Sequence, residues 1–176
     1  MAEPKTLDPL VLSVDIHVPI QRVWDEITKT GSIQRPLYNC VLETTLRPGS
    51  RLRYYSLDKK RVFVVGEIVE VDPPRKLKHT YHFMMNGIEP PTMVTWELVE
   101  IPGGCRVTLT HAGFTAAHKA PEKQGAGWKE ILGLLKSELE TGSIPFKTRL
   151  MYSVMGMTMW MLPKSTRVEE VERAGL

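Results

Sequence analysis

Hydrophobic and polar residues alternate strictly at the start of the chain. In VLSVDIHV (Val11–Val18), Leu12, Val14, Ile16 and Val18 share one face, and Ser13, Asp15 and His17 the other, the period of a half-buried strand. After Pro19 the spacing changes. Ile20, Val23, Trp24 and Ile27 form a helical stripe in IQRVWDEIT. Pro19 suits the start of that helix, where a missing N–H costs nothing, and Thr30-Gly31 ends it. Six further strand-like stretches follow: CVLETTL, RLRYYSL, RVFVVGEIVEV, LKHTYHFM, TMVTWELVE and CRVTLTH. Pro48-Gly49, Asp58-Lys59-Lys60, Asp72-Pro73-Pro74, Asn86-Gly87 with Pro90-Pro91, and Pro102-Gly103-Gly104 divide them. Short breaks between successive strands predict an antiparallel meander. From about Pro121 the period is helical again. Trp128, Ile131, Leu132, Leu135 and Leu139 make one apolar face, with Gly142 as the stop. The order is strand, helix, long sheet, long helix, which predicts an α+β fold whose sheet lays its apolar face on the last helix.

Strand alternation also selects the residues that face inward. These are Leu77, His79, Tyr81 and Phe83 on the first of the last three strands, Val94, Trp96 and Leu98 on the second, and Cys105, Val107, Leu109 and His111 on the third. Trp128 and Leu132 close the interior from the long helix. The candidate cavity set is therefore His79, Tyr81, Phe83, Val94, Trp96, Leu109, His111, Trp128 and Leu132. The aromatic members either fill a core or line a ligand cavity. His111 and His79 either bond a backbone carbonyl, touch a ligand, or act as acid and base. No metal is expected. His79 and His82 are three apart on a strand and point to opposite faces, and no HExxH or paired-cysteine motif occurs. A nucleophile elbow, a phosphate loop and a dinucleotide fingerprint are also missing from the sequence, so no cofactor is expected. Gly125-Ala126-Gly127 reads as a close approach of the long helix to the sheet.

The chain has 176 residues and a net charge of +3, which fits one domain plus an appendage. The densest basic run, RLRYYSLDKKR (Arg51–Arg61), reads as two solvated strand edges around a turn. It lacks the breadth and stacking aromatics of a nucleic-acid face. The two cysteines, Cys40 and Cys105, read as small buried hydrophobes suited to a reducing cytoplasm. The start MAEPKTLDPL has no signal-peptide pattern, and no apolar run approaches the roughly 20 residues of a membrane span. A cytoplasmic location is the expectation.

Four stretches carry a resemblance: GEIVEVDPPRKL (Gly66–Leu77), TMVTWELVE (Thr92–Glu100), GGCRVTLTHAGF (Gly103–Phe114) and GWKEILGLLKSELETG (Gly127–Gly142). In that order they resemble the family named for the C-terminal domain of the activator of the heat-shock chaperone ATPase. That family sits in the START-like superfamily, with the birch-pollen allergen and the polyketide cyclases. The resemblance covers roughly Leu12 to Gly142. It implies a helix-grip fold, in which a curved antiparallel sheet grips a long C-terminal helix and encloses a cavity. Superfamily members bind lipids, plant hormones or polyketides, and a few catalyse, so the fold does not name a function. The namesake activator has a separate N-terminal domain. Only about ten residues precede the first strand here, which counts against straightforward chaperone stimulation. The resemblance implies non-catalytic binding of a small hydrophobic ligand, lipid-like or polyketide-like. The alternatives are a chaperone-associated adaptor, or a cyclase- or hydrolase-like enzyme using His111 or His79.

Residues 143–176 follow the START-like unit of residues 1–142. Five of the twelve residues in MYSVMGMTMWML (Met151–Leu162) are methionine. Pro145 can open a helix and Pro163 can end it. The stretch is too short, and too closely flanked by Lys147, Arg149, Lys164 and Arg167, to cross a bilayer. Methionine adapts to irregular partners. Its own domain, a second copy, a membrane surface and the cavity mouth are all open to it. The expectation is a helix docked on protein, on its own domain or in a homodimer.

Overall fold

The computed structural model describes residues 6–87, 89–118 and 121–176. The seven strand-like stretches become strands and a short pair of residues, Ile33–Gln34, adds an eighth: β1 (Leu10–Ile16), β2 (Ile33–Gln34), β3 (Cys40–Glu43), β4 (Arg51–Tyr55), β5 (Val62–Asp72), β6 (Lys76–Phe83), β7 (Thr92–Ile101) and β8 (Gly104–Ala112). They form one antiparallel sheet in the order β1-β8-β7-β6-β5-β4-β3-β2. Helix α1 (Ile20–Ile27) follows β1, and the long helix α2 (Pro121–Thr141) follows β8. The curled sheet and the helix it holds are the helix-grip arrangement.

Two features hold α2 on the concave face. Its apolar side, including Trp128, Leu132 and Leu135, joins Trp96, Leu98 and Leu109 of the sheet in one buried cluster. At its C-terminal end a polar clamp forms. Lys136 Nζ donates to the carbonyl of Asp15 at 2.6 Å and to Glu140 Oε1 at 2.9 Å. The backbone N–H of His17 donates to the same Glu140 oxygen at 2.8 Å. Those contacts hold the Glu140 carboxyl down at about 2, the Lys136 bond contributing most and the His17 N–H next.

Sheet curvature is set by irregular pairing of β5 with its two neighbours. The register shifts between Tyr54 and Tyr55 on β4 and between Ile68 and Glu70 on β5. Gly66 lies between these two irregularities, where β6 crowds it. A Cβ there would sit 2.0 Å from the carbonyl oxygen of Thr80, so only glycine fits. Gly125 and Gly127 differ from expectation. A Cβ at either position meets nothing closer than 3.7 Å and 3.8 Å respectively. Close packing of the helix does not require them.

The last residues form α3 (Phe146–Met157), 3-10 turns at Met159–Met161 and Lys164–Thr166, and a short helix α4 (Val168–Arg173). Tyr152 alone of α3 is buried. It packs edge-on against Tyr38, ring centroids 6.0 Å apart, and touches Leu134 and Ile144. Beyond α3 the tail crosses to the outer face of β4 and β5. Val171 is buried there with Tyr55, Val62, Val65 and Met84. Arg61 donates to the carbonyl of Pro163 at 3.1 Å and to Thr166 Oγ1 at 2.9 Å, and Ser165 Oγ donates to the carbonyl of Met84 at 2.6 Å. This corrects the reading of Arg51–Arg61 as solvated edges. Arg53 and Arg61 are buried, because the tail covers the face they occupy. Cys40 and Cys105 are both buried and unpaired.

Candidate ligand cavity

A cavity of about 740 Å³ lies between the β4–β6 half of the sheet, the first half of α2 and α3. That volume suits a small organic ligand. Tyr54, Val64, Tyr81 and Phe83 come from the sheet, and Gly127, Trp128 and Ile131 from α2. The segment before β3 gives Leu37 and Tyr38, β3 gives Cys40, and the C-terminal extension gives Tyr152, Met155, Met159 and Leu162. The side chains on β4 to β6 point inward because each occupies an alternate position on the concave face. Tyr38 points inward for a different reason: Tyr38 and Asn39 both adopt left-handed backbone, φ 54° and 57°, which turns the chain sharply into β3.

The wall is aromatic. Tyr81 stacks beside Phe83 with centroids 6.3 Å apart and meets Trp128 at 5.6 Å. Trp96 braces Trp128 from below, edge-on at 5.8 Å. Within this apolar lining the hydroxyls of Tyr54 and Tyr81 have no hydrogen-bond partner among the described residues. Neither is sealed off, since the fully enclosed unpaired hydroxyl among the cavity residues is that of Tyr152. The Tyr54 and Tyr81 hydroxyls are thus free to meet a ligand's polar atom. The Tyr38 hydroxyl is taken, donating to Glu130 Oε2 at 2.9 Å. Burial pushes all four phenols well above the usual tyrosine value and the Cys40 thiol up to about 12. All five groups are neutral near pH 7.

The histidines behind the wall are fixed in a directional chain. Trp128 Nε1–H donates to His111 Nδ1 at 2.9 Å. The ring proton must then sit on Nε2, which donates to Thr92 Oγ1 at 2.7 Å. The Thr92 hydroxyl in turn donates to the carbonyl of Tyr81 at 2.9 Å. Burial lowers the His111 pKa to about 3, helped by repulsion from His79 and His118. His79 is also buried, with Nδ1 2.8 Å from the Thr80 carbonyl, and burial takes it down to about 4 against that hydrogen bond. Both rings are neutral and committed to structural bonds. Among the described residues, no three His, Cys, Asp or Glu side chains converge as a metal site would need.

Of the nine residues picked from alternation, Tyr81, Phe83 and Trp128 line the cavity. His79, Val94, Trp96, Leu109, His111 and Leu132 are buried in the packed interior instead. The physical reason is that Trp128 and Phe114 cover Trp96 and His111 and that α1 packs across β7 and β8, together filling that half of the concave face. The open half lies over β4 and β5. One sequence signal pointed there: four of the chain's five tyrosines, Tyr38, Tyr54, Tyr81 and Tyr152, line the cavity.

Comparison with known families agrees with the fold. Residues 17–140 match the family described as Activator of Hsp90 ATPase homolog 1-like protein. The chain belongs to this family. Among curated proteins there is no significant match. Solved structures share the fold at low identity. DynU16, from the dynemicin biosynthetic locus, is 22% identical with a TM-score of 0.64; the match covers 78% of this chain and 49% of DynU16, so this chain spans about half of that protein's length. CalU16 from Micromonospora echinospora is 19% identical over 87% of this chain and 86% of its own, with a TM-score of 0.60. The Aha1 dimer from Colwellia psychrerythraea is 13% identical over 78% and 99%, with a TM-score of 0.64. Among the described residues no helix is long and apolar enough to cross a membrane.

Proposed function

We propose that this protein binds a small hydrophobic molecule in the cavity between β4–β6, α2 and α3, without chemistry. The observation that carries the reading is the cavity itself: about 740 Å³ with a mostly apolar and aromatic lining that includes two tyrosine hydroxyls unpartnered among the described residues. Such a site favours a mainly apolar ligand, lipid-like or polyketide-like, that carries at least one hydrogen-bonding group. The histidines support the non-catalytic half of the reading. A general base needs a free nitrogen near the reacting atom and a pKa near the working pH. His111 has neither, and His79 lies outside the cavity lining. The family name carries a second reading, association with a chaperone ATPase. On that reading the cavity holds nothing, and the native mass equals the sequence mass.

The test is native mass spectrometry of the purified protein, followed by titration with a fluorescent fatty-acid probe. The expected result is added mass on the protein and probe binding to the wild type. Gly127→Leu places a side chain into the cavity from a helical position where a Cβ meets only the Tyr38 hydroxyl, at 3.8 Å. It should weaken the probe by about tenfold or more with the circular dichroism unchanged. No added mass, together with equal probe binding by wild type and Gly127→Leu, would sink the reading.

A further inference from the structure

The side of α3 and its following turn that faces away from the cavity has no cover. Phe146, Met157, Trp160 and Met161 are 75%, 71%, 75% and 66% exposed, and Leu150 and Val154 are about half exposed. Large apolar side chains gathered on one surface mark an interaction site. The charge of the same segment says what kind. Lys147, Arg149, Lys164 and Arg167 are all exposed, and none forms an ion pair among the described residues. No Asp or Glu occurs between Glu140 and Glu169. Residues 141–168 therefore carry +4 in a chain whose net charge is +3, and everything else sums to −1. The positive charge of the molecule is concentrated in the segment whose apolar side chains are exposed.

Two occupants compete for this face. A second copy docked about a two-fold axis sets the patch against itself, bringing Lys and Arg against Lys and Arg along α3, which carries no Asp or Glu. An anionic bilayer offers the opposite charge at its surface and an apolar layer beneath it. Tryptophan is the side chain most at home at that boundary. We infer that the outer face of α3 docks on the surface of an anionic lipid bilayer. Phe146, Met157, Trp160 and Met161 enter the headgroup–acyl boundary, and the four cations meet lipid phosphates and carboxylates. The inner side of the same segment carries Met155, Met159 and Leu162, which line the cavity. Docking therefore sets a wall of the cavity against the membrane. The docking stands on the exposed face alone and holds whether or not the cavity takes a ligand.

The experiment is co-sedimentation of the full chain with vesicles of phosphatidylcholine, and of phosphatidylcholine mixed with phosphatidylserine, at low and high salt. Binding should require phosphatidylserine and fall as salt rises. Replacing both Lys147 and Arg149 by Ala should weaken it about thirtyfold, from the usual worth of a basic residue near an anionic surface. Met157→Glu with Trp160→Glu should abolish it; both side chains are exposed, so the fold is kept. Gly127→Leu should sediment like the wild type, which separates failure of docking from failure of ligand binding. Absence of vesicle binding overturns the proposal. So does equal binding to both vesicle types at either salt. A concentration-dependent dimer by light scattering that Trp160→Glu dissociates would assign the face to a second copy instead.

Discussion

His111 accepts a proton-bearing bond at one ring nitrogen and gives one at the other, and this sets how the cavity wall behaves. Trp128 is both a lining residue and the donor to His111 Nδ1, so the wall's orientation is tied to the histidine's tautomer. Trp128→Phe keeps the aromatic surface but leaves a buried acceptor unpaired. It should cost about 1–3 kcal/mol by urea unfolding. Leu109→Ala, at a position with no exposure, should cost about 2–5 kcal/mol by the same measurement. A loss near the surface level, within about 0.5 kcal/mol, would mean the β8 register is wrong. The two histidines also predict a pH dependence. In the folded state they hold protons only below about 4 for His79 and about 3 for His111, against 6.5 when unfolded. Between those values the unfolded chain binds more protons than the folded one, so stability rises with pH through that window. It is fully present above pH 6.5 and is lost on acidification towards pH 4, by an amount on the order of a few kcal/mol. His79→Leu should flatten that slope in urea melts run between pH 4 and 7; an unchanged slope would mean other groups set it.

At the scale of elements, legibility followed how many faces of a strand are buried. β7 alternates buried and less buried residues for most of its length, so period two selected Val94, Trp96 and Leu98 without help. β4 and the start of β5 are buried on both faces, because α4 covers the outside. Alternation therefore gave no warning that Arg53 and Arg61 are enclosed, since the cause lies more than a hundred residues away at Thr166 and Val171. The cavity's position depended in the same way on α1, Trp128 and Phe114 filling one half of the concave face, a packing outcome that no local period encodes. The tail's dependence on Arg61 is testable. Arg61→Ala removes its donors to Pro163 and Thr166 and should cost about 1.5–3 kcal/mol, the usual scale of a hydrogen bond to a charged group. Hydrogen exchange should then speed up in residues 162–176 while β7 and β8 stay protected. Uniform loss of protection across the sheet would show that the tail is integral to folding rather than a strap on a finished core.

At the scale of the molecule, one segment joins three surfaces. Tyr152 docks α3 on the domain, Met155 and Met159 face the cavity, and Met157 and Trp160 face outward. A ligand that fills the cavity contacts the inner side of α3 and stabilises only the state in which that wall is in place. Ligand binding should then appear as a shift in folding stability with a local signature. At a free ligand concentration of 100 times Kd the gain is about 2.7 kcal/mol. Differential scanning calorimetry with the fatty-acid probe should show the melting temperature rising with probe concentration for the wild type. Gly127→Leu should melt without probe at or above the wild-type temperature, since it replaces a mid-helix glycine, and should then respond little to probe. Hydrogen exchange in the presence of probe should slow in Phe146–Met157 more than in β1 or β8, because α3 is held to the domain mainly through Tyr152. Slowing spread evenly over the sheet, with α3 unchanged, would mean that the probe binds elsewhere and that α3 is not a wall of the site.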